Sequence, residues 1–168
     1  MKPFFTAAAA ALLLCSCAVT VPPPNWSNKL PQYEHEYKAY IGEGTGSLKG
    51  QAFLTQAGGG VVRAAGETVT LDPATTIGTE WWRKAGIYYV HRNQVPPSPG
   101  FSEARRTTVA DADGNFTFEN LPAGKYYVRT KVTWEIGGYF PTQGGLVGKM
   151  VEVKDNEPTR VILNEMTD

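Results

Sequence analysis

Residues 111–128 read Asp-Ala-Asp-Gly-Asn-Phe-Thr-Phe-Glu-Asn-Leu-Pro-Ala-Gly-Lys-Tyr-Tyr-Val, and this stretch decides the fold. The pair Asp113-Gly114 suits a tight turn, because both residue types tolerate the positive φ values that such a turn requires. After this turn two phenylalanines alternate with polar residues, which predicts a strand with one buried face. A second turn, from Leu121 to Gly124, leads into another strand. The stretch therefore predicts consecutive antiparallel strands that share an apolar face.

The same period-two alternation continues outward in both directions. It is longest from Lys125 to Trp134, which predicts a central strand. Together the predicted strands are 48–55, 67–72, 105–110, 115–119, 125–134, 146–153 and 159–163. This pattern predicts an all-β sandwich. Its core is expected to include Phe116, Phe118, Tyr126, Val128 and Val132.

Residues 74–102 interrupt the pattern and are predicted to be an insertion. They lack alternation and end near a proline-rich run at 96–100. Thr75 or Thr76 suits the N-cap of a helical turn, whereas residues 87–90 favour a short strand. Long excursions often carry function, so we expect the binding surface in this insertion.

The insertion concentrates four aromatic candidates for a partner-binding surface, namely Trp81, Trp82, Tyr88 and Tyr89. Exposed rings stack on sugars or anchor a protein partner, but aromatic residues also fill cores. Adjacent residues point in different directions on a strand or a helix, so Trp81 and Trp82 are not expected both to be fully buried. Outside the insertion, Trp134, Tyr139 and Phe140 are aromatic candidates of the same kind. For all of these residues three interpretations stay open: core packing, a protein contact and a glycan contact.

The N-terminus resembles a bacterial lipoprotein signal. After a basic residue, residues 7–14 form an apolar run too short to span a bilayer permanently, and the small Ser16 precedes Cys17. We therefore predict a signal peptide over 1–16 and lipidation of Cys17, with palmitate-type acyl chains holding the protein on a membrane. Cys15 suits this role poorly because a bulky leucine precedes it.

The chain is expected to divide into three segments: a signal peptide at 1–16, a lipidated cysteine with a proline-rich tether and lead-in at 17–43, and the sandwich domain at 44–168. Prolines 22–24 favour an extended spacer. Residues 25–43 fit either a short helix or an extended segment. Ala18 rather than Asp follows the lipidated cysteine. By resemblance to the enterobacterial sorting rule, this implies an outer-membrane lipoprotein that faces the periplasm.

Charge and cysteine content narrow the possible partners. The chain has 16 Lys and Arg against 16 Asp and Glu, and its longest basic run is the pair Arg105-Arg106. Such a balance disfavours nucleic-acid binding and charge-driven attachment to anionic lipids. Removal of the signal peptide would leave Cys17 as the sole cysteine, so no intramolecular disulfide is expected.

The run 111–128 resembles the signature of carboxypeptidase regulatory-like domains, which have a transthyretin-like β-sandwich. Segments 46–54 and 68–73 are similar to the start of that domain, so the resemblance covers roughly 44–164. The insertion is longer than the compact module needs. The resemblance implies a transthyretin-like, seven-stranded sandwich and a non-catalytic module of an enzyme or envelope protein.

No constellation of residues in the sequence predicts catalysis, a cofactor or a metal site. Asp111, Asp113 and Asn115 alternate like the start of a calcium loop, but the glycine and the bidentate glutamate are not at the required positions. His35 and His91 stand far apart in the chain. We therefore expect no enzyme, but a lipid-anchored envelope module that binds a protein or has a structural role. The alternative is a carbohydrate-binding module that uses the aromatic residues of the insertion.

Overall fold

The structure, a computed structural model, describes residues 30–87, 97–137 and 142–167. It is mostly β-structure arranged as a two-sheet sandwich, which confirms the predicted fold class. The strands in these residues are β1 Gly46–Thr55, β2 Val61–Arg63, β3 Thr68–Pro73, β4 Arg106–Val109, β5 Asn115–Leu121, β6 Gly124–Trp134, β7 Gln143–Val153 and β8 Pro158–Leu163. They number eight rather than the expected seven, because the three-residue β2 follows the glycine turn after β1.

Sheet one is built around β1. Strand β5 pairs with it antiparallel, with Lys49 opposite Thr117, and β8 pairs with it parallel, with Lys49 opposite Arg160. Strand β2 pairs antiparallel with the last three residues of β1. Because β1 alternates apolar and polar residues, one face of this sheet points into the sandwich and the other points outward.

Sheet two has the order β4-β3-β6-β7, so β6, which has the longest alternation in the sequence, lies inside the sheet as predicted. Strands β6 and β7 form a long antiparallel ladder from the pair Gly124 and Val153 to the pair Trp134 and Gln143. The ladder therefore places the start of β6 beside the end of β7 and the end of β6 beside the start of β7. Its two ends are about 33 Å apart, at about 3.3 Å per residue.

The main core lies between the two sheets and contains the residues predicted for it. Phe116, Phe118, Tyr126, Val128 and Val132 are all buried in one cluster. The intervening Thr117 is exposed, as the alternation requires. The register of the two signature strands is therefore the one that the sequence predicts.

The turn before β5 is stabilised by a side chain. Asp111 Oδ1 accepts hydrogen bonds from the backbone N–H groups of Asp113, at 2.9 Å, and Asn115, at 2.8 Å. Gly114 has a φ of 77°, whereas Asp113 keeps a negative φ. Hydrogen bonds from Asn115 lower the pKa of the Asp111 carboxyl. Asp111 and Asp113 therefore belong to the turn that precedes β5.

Short helices occupy the lead-in and the insertion. They are α1 Leu30–Tyr33 with a 3-10 continuation over Glu34–Ala39, α2 Thr76–Trp81 with a π-helical turn over Trp82–Gly86, and α3 Pro99–Ala104. Residues 30–39 of the lead-in are thus helical, which decides between the two conformations left open above for this part of it. Thr75 caps α2, because its hydroxyl accepts a hydrogen bond from Gly78 N at 2.9 Å. Within the described ranges, every helix is too short or too polar to cross a membrane.

Candidate functional site

The insertion covers the outer face of sheet two and builds a second core there. This second core is a cluster of six buried residues from the lead-in and the insertion: Tyr37, Ile77, Trp81, Ala85, Phe101 and Ala104. Beneath it lie Asp72 of β3 and Arg129 of β6, both buried on the sheet face that points away from the main core. The insertion is therefore packed structure over most of its described length.

Trp81 lies at the centre of the second core and is fully buried. Its ring packs against Phe101 at 4.9 Å between centroids, and the guanidinium groups of Arg105 and Arg129 lie 4.9 and 4.6 Å from its centroid. Because the side chain is fully buried, neither face of the ring is accessible to a ligand. This corrects the expectation that Trp81 contributes to a partner-binding surface.

Trp82 is half-buried and points in a different direction from Trp81, as expected for adjacent residues. Its ring stacks on Tyr127 of β6 at 4.6 Å with an interplanar angle of 11°. The same ring lies so close to Gly148 of β7 that a Cβ there would approach it to 2.9 Å. Trp82 therefore uses one face to hold the insertion on sheet two. The other candidates, Tyr88 and Tyr89, and the lipidation candidate Cys17 lie outside the described residues.

A buried ion cluster joins the insertion to sheet two. Both carboxylate oxygens of Asp72 accept hydrogen bonds from Arg105, from Nε at 2.5 Å and from Nη2 at 3.0 Å. Arg129 donates from Nη1 to the Gly86 carbonyl at 2.7 Å. Burial lowers the pKa of Arg129 to about 10, while Asp72 acts in the opposite direction. Arg129 therefore stays cationic at neutral pH, and the cluster serves to stabilise the fold.

The lead-in is clamped to the insertion through two glutamates. Glu36 accepts hydrogen bonds from the backbone N–H and the hydroxyl of Thr76, at 2.7 and 2.9 Å, at the start of α2. Glu34 accepts one from Gly100 N at the start of α3. Carboxylates at helix N-termini satisfy donors that have no partner within the helix. Residues 30–43 are therefore bound to the domain.

A depression of about 440 Å³ lies at the end of the sandwich where β6 ends. It is formed by the turn after β1 in sheet one and by the β6 and β7 ends in sheet two. Its lining consists of Gln56, Ala57, Gly58, Trp134, Glu135, Ile136 and Gln143. We call it the end pocket. It combines one aromatic ring with two carboxamides and one carboxylate.

Two other depressions differ in character from the end pocket. One, of about 620 Å³, lies across β5, β1 and β8 and includes the cationic Lys49 and Arg160. The other, of about 540 Å³, runs along α2 and includes the ion pair of Glu80 and Lys84. The described residues that line these two depressions include no tryptophan or tyrosine. Among the described residues, no group of three His, Cys, Asp or Glu side chains is arranged to hold a metal ion.

Comparison with solved structures shows similarity to proteins of known structure. The chain is similar to the crystal structure of a "putative carbohydrate binding protein" from Pseudomonas aeruginosa, with 28% identity, a TM-score of 0.66, and coverage of 86% of this chain and 100% of that one. Its likeness to a minor pilin of Streptococcus agalactiae has 15% identity and a TM-score of 0.37 over 73% of this chain and 44% of that one, which is too low to support an inference. No protein-family model and no curated protein matches the chain. The first likeness supports the β-sandwich fold over the whole length of that protein.

Proposed function

We propose that this protein is a non-catalytic carbohydrate-binding module of the cell envelope. The observation that carries the proposal is the likeness to the Pseudomonas aeruginosa protein, which extends over all of that chain at 28% identity. Carbohydrate binding is what that protein's name states. Its transfer to this chain is supported by the end pocket, which combines an aromatic ring with polar groups that can bind hydroxyls.

The burial of Trp81 favours a glycan-binding role over a protein-binding role, both of which the sequence left open. A protein-binding role rested on the aromatic residues of the insertion, and the two described ones pack on sheet two. A glycan-binding role requires an accessible aromatic side chain, and Trp134 at the end of β6 is half-buried. The glycan function is therefore preferred, with its site moved away from the insertion.

We further propose that Cys17 carries acyl chains and holds the module on the outer membrane, facing the periplasm. The support comes from the signal-like N-terminus and from the position of the lead-in. Tyr40 packs edge-on against Tyr126 at 5.2 Å, and Arg106 donates to the Gly42 carbonyl at 2.5 Å. The contact at Tyr126 lies near the start of β6, whereas the end pocket lies at its other end, about 26 Å away at about 3.3 Å per residue. The C-terminal part of the lead-in is therefore packed at the end of β6 opposite the end pocket.

Kinship with carboxypeptidase regulatory-like domains is part of the same proposal. The signature turn, the two inward phenylalanines and the β5–β6 connection all occur at the positions that this resemblance implies. The resemblance implies a domain that binds a partner or has a structural role and does not catalyse a reaction. The absence of enzymatic activity is proposed here on that resemblance.

The direct test is a glycan array probed with the purified full chain in a detergent that has no sugar headgroup. The array should include neutral hexasaccharides of glucose, mannose and N-acetylglucosamine together with oligogalacturonate as an acidic member. The proposal predicts reproducible binding to at least one class of glycan that free oligosaccharide competes away. Absence of binding to every class, together with capture of one defined envelope protein from cross-linked cells, would support the protein-binding function instead.

A further inference from the structure

We infer that the end pocket is a binding site for a neutral sugar chain, with Trp134 as the platform on which a sugar ring stacks. This inference rests on the proposed function and adds to it a site and a ligand class. It is carried by the way in which the fold holds Trp134, by the groups around it, and by the charges that the pocket contains.

The fold holds the Trp134 ring in place from below. Trp134 is the last residue of β6 and pairs in register with Gln143 at the start of β7. Gly144 has a φ of 88°, and a Cβ at that position would lie 2.8 Å from a carbon of the indole ring. The ring therefore lies over a residue that must be glycine, while its inner part packs against the main core. A ring fixed on a strand rather than on a loop is preorganised for stacking.

The opposite wall of the pocket comes from sheet one and is also rigid. The backbone N–H of Gln56 donates to the Gly60 carbonyl at 2.7 Å, and the backbone carbonyl of Gln56 accepts from Gly59 N at 2.8 Å, which closes the turn after β1. The turn places the half-buried Gln56 in the lining of the pocket together with Trp134. A carboxamide both donates and accepts hydrogen bonds, as a sugar hydroxyl does. The carboxamide of Gln56 is therefore suited to a hydroxyl group at the edge of a stacked ring.

Charge distinguishes a sugar from other ligands that stack on aromatic rings. Among the described residues that line this pocket, Glu135 is the one that carries a charge. A nucleic acid would need cations for its phosphates, and an acidic polysaccharide would be repelled by the carboxylate. The pocket volume of about 440 Å³ is within the range of small-molecule sites. A protein epitope would instead bury about 800 Å² on each partner. The site therefore fits neutral sugars.

The test compares binding by single variants of the full chain, using the neutral hexasaccharide that gives the strongest array signal. Isothermal titration should show at least a tenfold loss of affinity for Trp134→Ala and no more than a threefold loss for Trp134→Phe, which keeps an aromatic platform. Trp82→Ala is the matched control, because it removes a half-buried tryptophan from the outer face of sheet two. It should bind like the wild type.

Two variants at the rim keep the test valid if Trp134→Ala does not fold. Gln56→Ala should weaken binding about threefold or more with an unchanged melting temperature. Glu135→Lys should create binding of oligogalacturonate, because the repelling charge is replaced by an attractive one. Wild-type affinity in folded Trp134→Ala would overturn the site assignment while leaving carbohydrate binding intact. Wild-type affinity in Gln56→Ala together with no binding of oligogalacturonate by Glu135→Lys would overturn it as well. A wild-type chain that binds no glycan would overturn the proposed function itself.

Discussion

Replacing Trp81 with Ala should destabilise the protein strongly and leave glycan binding unchanged in the folded fraction. Trp81 is fully buried between Phe101 and two guanidinium groups. A buried tryptophan removes roughly 200 Å² from water, which at about 25 cal/mol per Å² corresponds to about 5 kcal/mol. Truncation of large buried aromatic residues typically costs about 3 to 5 kcal/mol. We therefore expect a loss in that range, a large part of a typical domain's stability of about 5 to 15 kcal/mol.

The assay is urea unfolding and thermal melting of the wild type, Trp81→Ala and the neighbouring Trp82→Ala. A loss of 3 to 5 kcal/mol corresponds to a decrease in Tm of about 6 to 20 °C for a domain of this size. Trp82 is half-buried and stacked on Tyr127, so its removal should cost only about 1 to 2 kcal/mol. The unfolding transitions of the two variants should both be cooperative and should have similar m-values. A loss below about 1 kcal/mol for Trp81→Ala, or a selective loss of glycan affinity in that variant, would refute the assignment of Trp81 to the second core.

Four further predictions follow from the same structure. Phe118→Ala should cost about 3 to 5 kcal/mol in urea unfolding whereas the exposed Thr117→Ala should cost below about 0.5 kcal/mol, and equal losses would mean that the register of β5 is wrong. Glu36→Ala should lower stability by about 1 kcal/mol and increase hydrogen exchange in α2, because Thr76 loses its carboxylate partner; unchanged exchange would argue against the clamp. Cys17→Ala should abolish lipid labelling and release the protein from membranes, and persistent labelling with loss in Cys15→Ala would assign the acylation to Cys15. The lowered pKa of Asp111 contributes stability above its unfolded-state pKa of about 3.9 that is lost as the pH falls through the lower folded value, so Asp111→Ala should flatten the acid end of the stability curve.

The sequence was sufficient for the sandwich because its signals are local. The Asp111 turn, the alternation through Phe116 and Phe118, and the long alternation of β6 each act over a few residues, and the structure reproduces all three. Thr75 as the cap of α2 is likewise a local signal. Such patterns depend on backbone geometry and on the period of two, which are the same in every sandwich.

The second core and the end pocket depend on contacts between distant residues, and the sequence does not reveal them. Glu36 reaches Thr76 across 40 residues, and Arg105 reaches Asp72 across 33. The aromatic pair of the insertion therefore looked like a surface, although Trp81 is buried by these partners. Trp134 was one of the aromatic residues for which the sequence left core packing, a protein contact and a glycan contact open. Its position as the last inward residue of the longest predicted strand was the signal that it lies at an open end of the sandwich.

The most direct test of the account is a map of backbone amide shifts during titration of the ¹⁵N-labelled full chain with the neutral hexasaccharide. The account predicts that the largest shifts occur in the turn at 56–58, at Trp134 to Ile136 and at Gln143, together with the indole N–H of Trp134. Shifts in the insertion should be small, because its described aromatic side chains pack on sheet two. Shifts concentrated at Lys49, Thr117 and Arg160 on the outer face of sheet one would contradict the account.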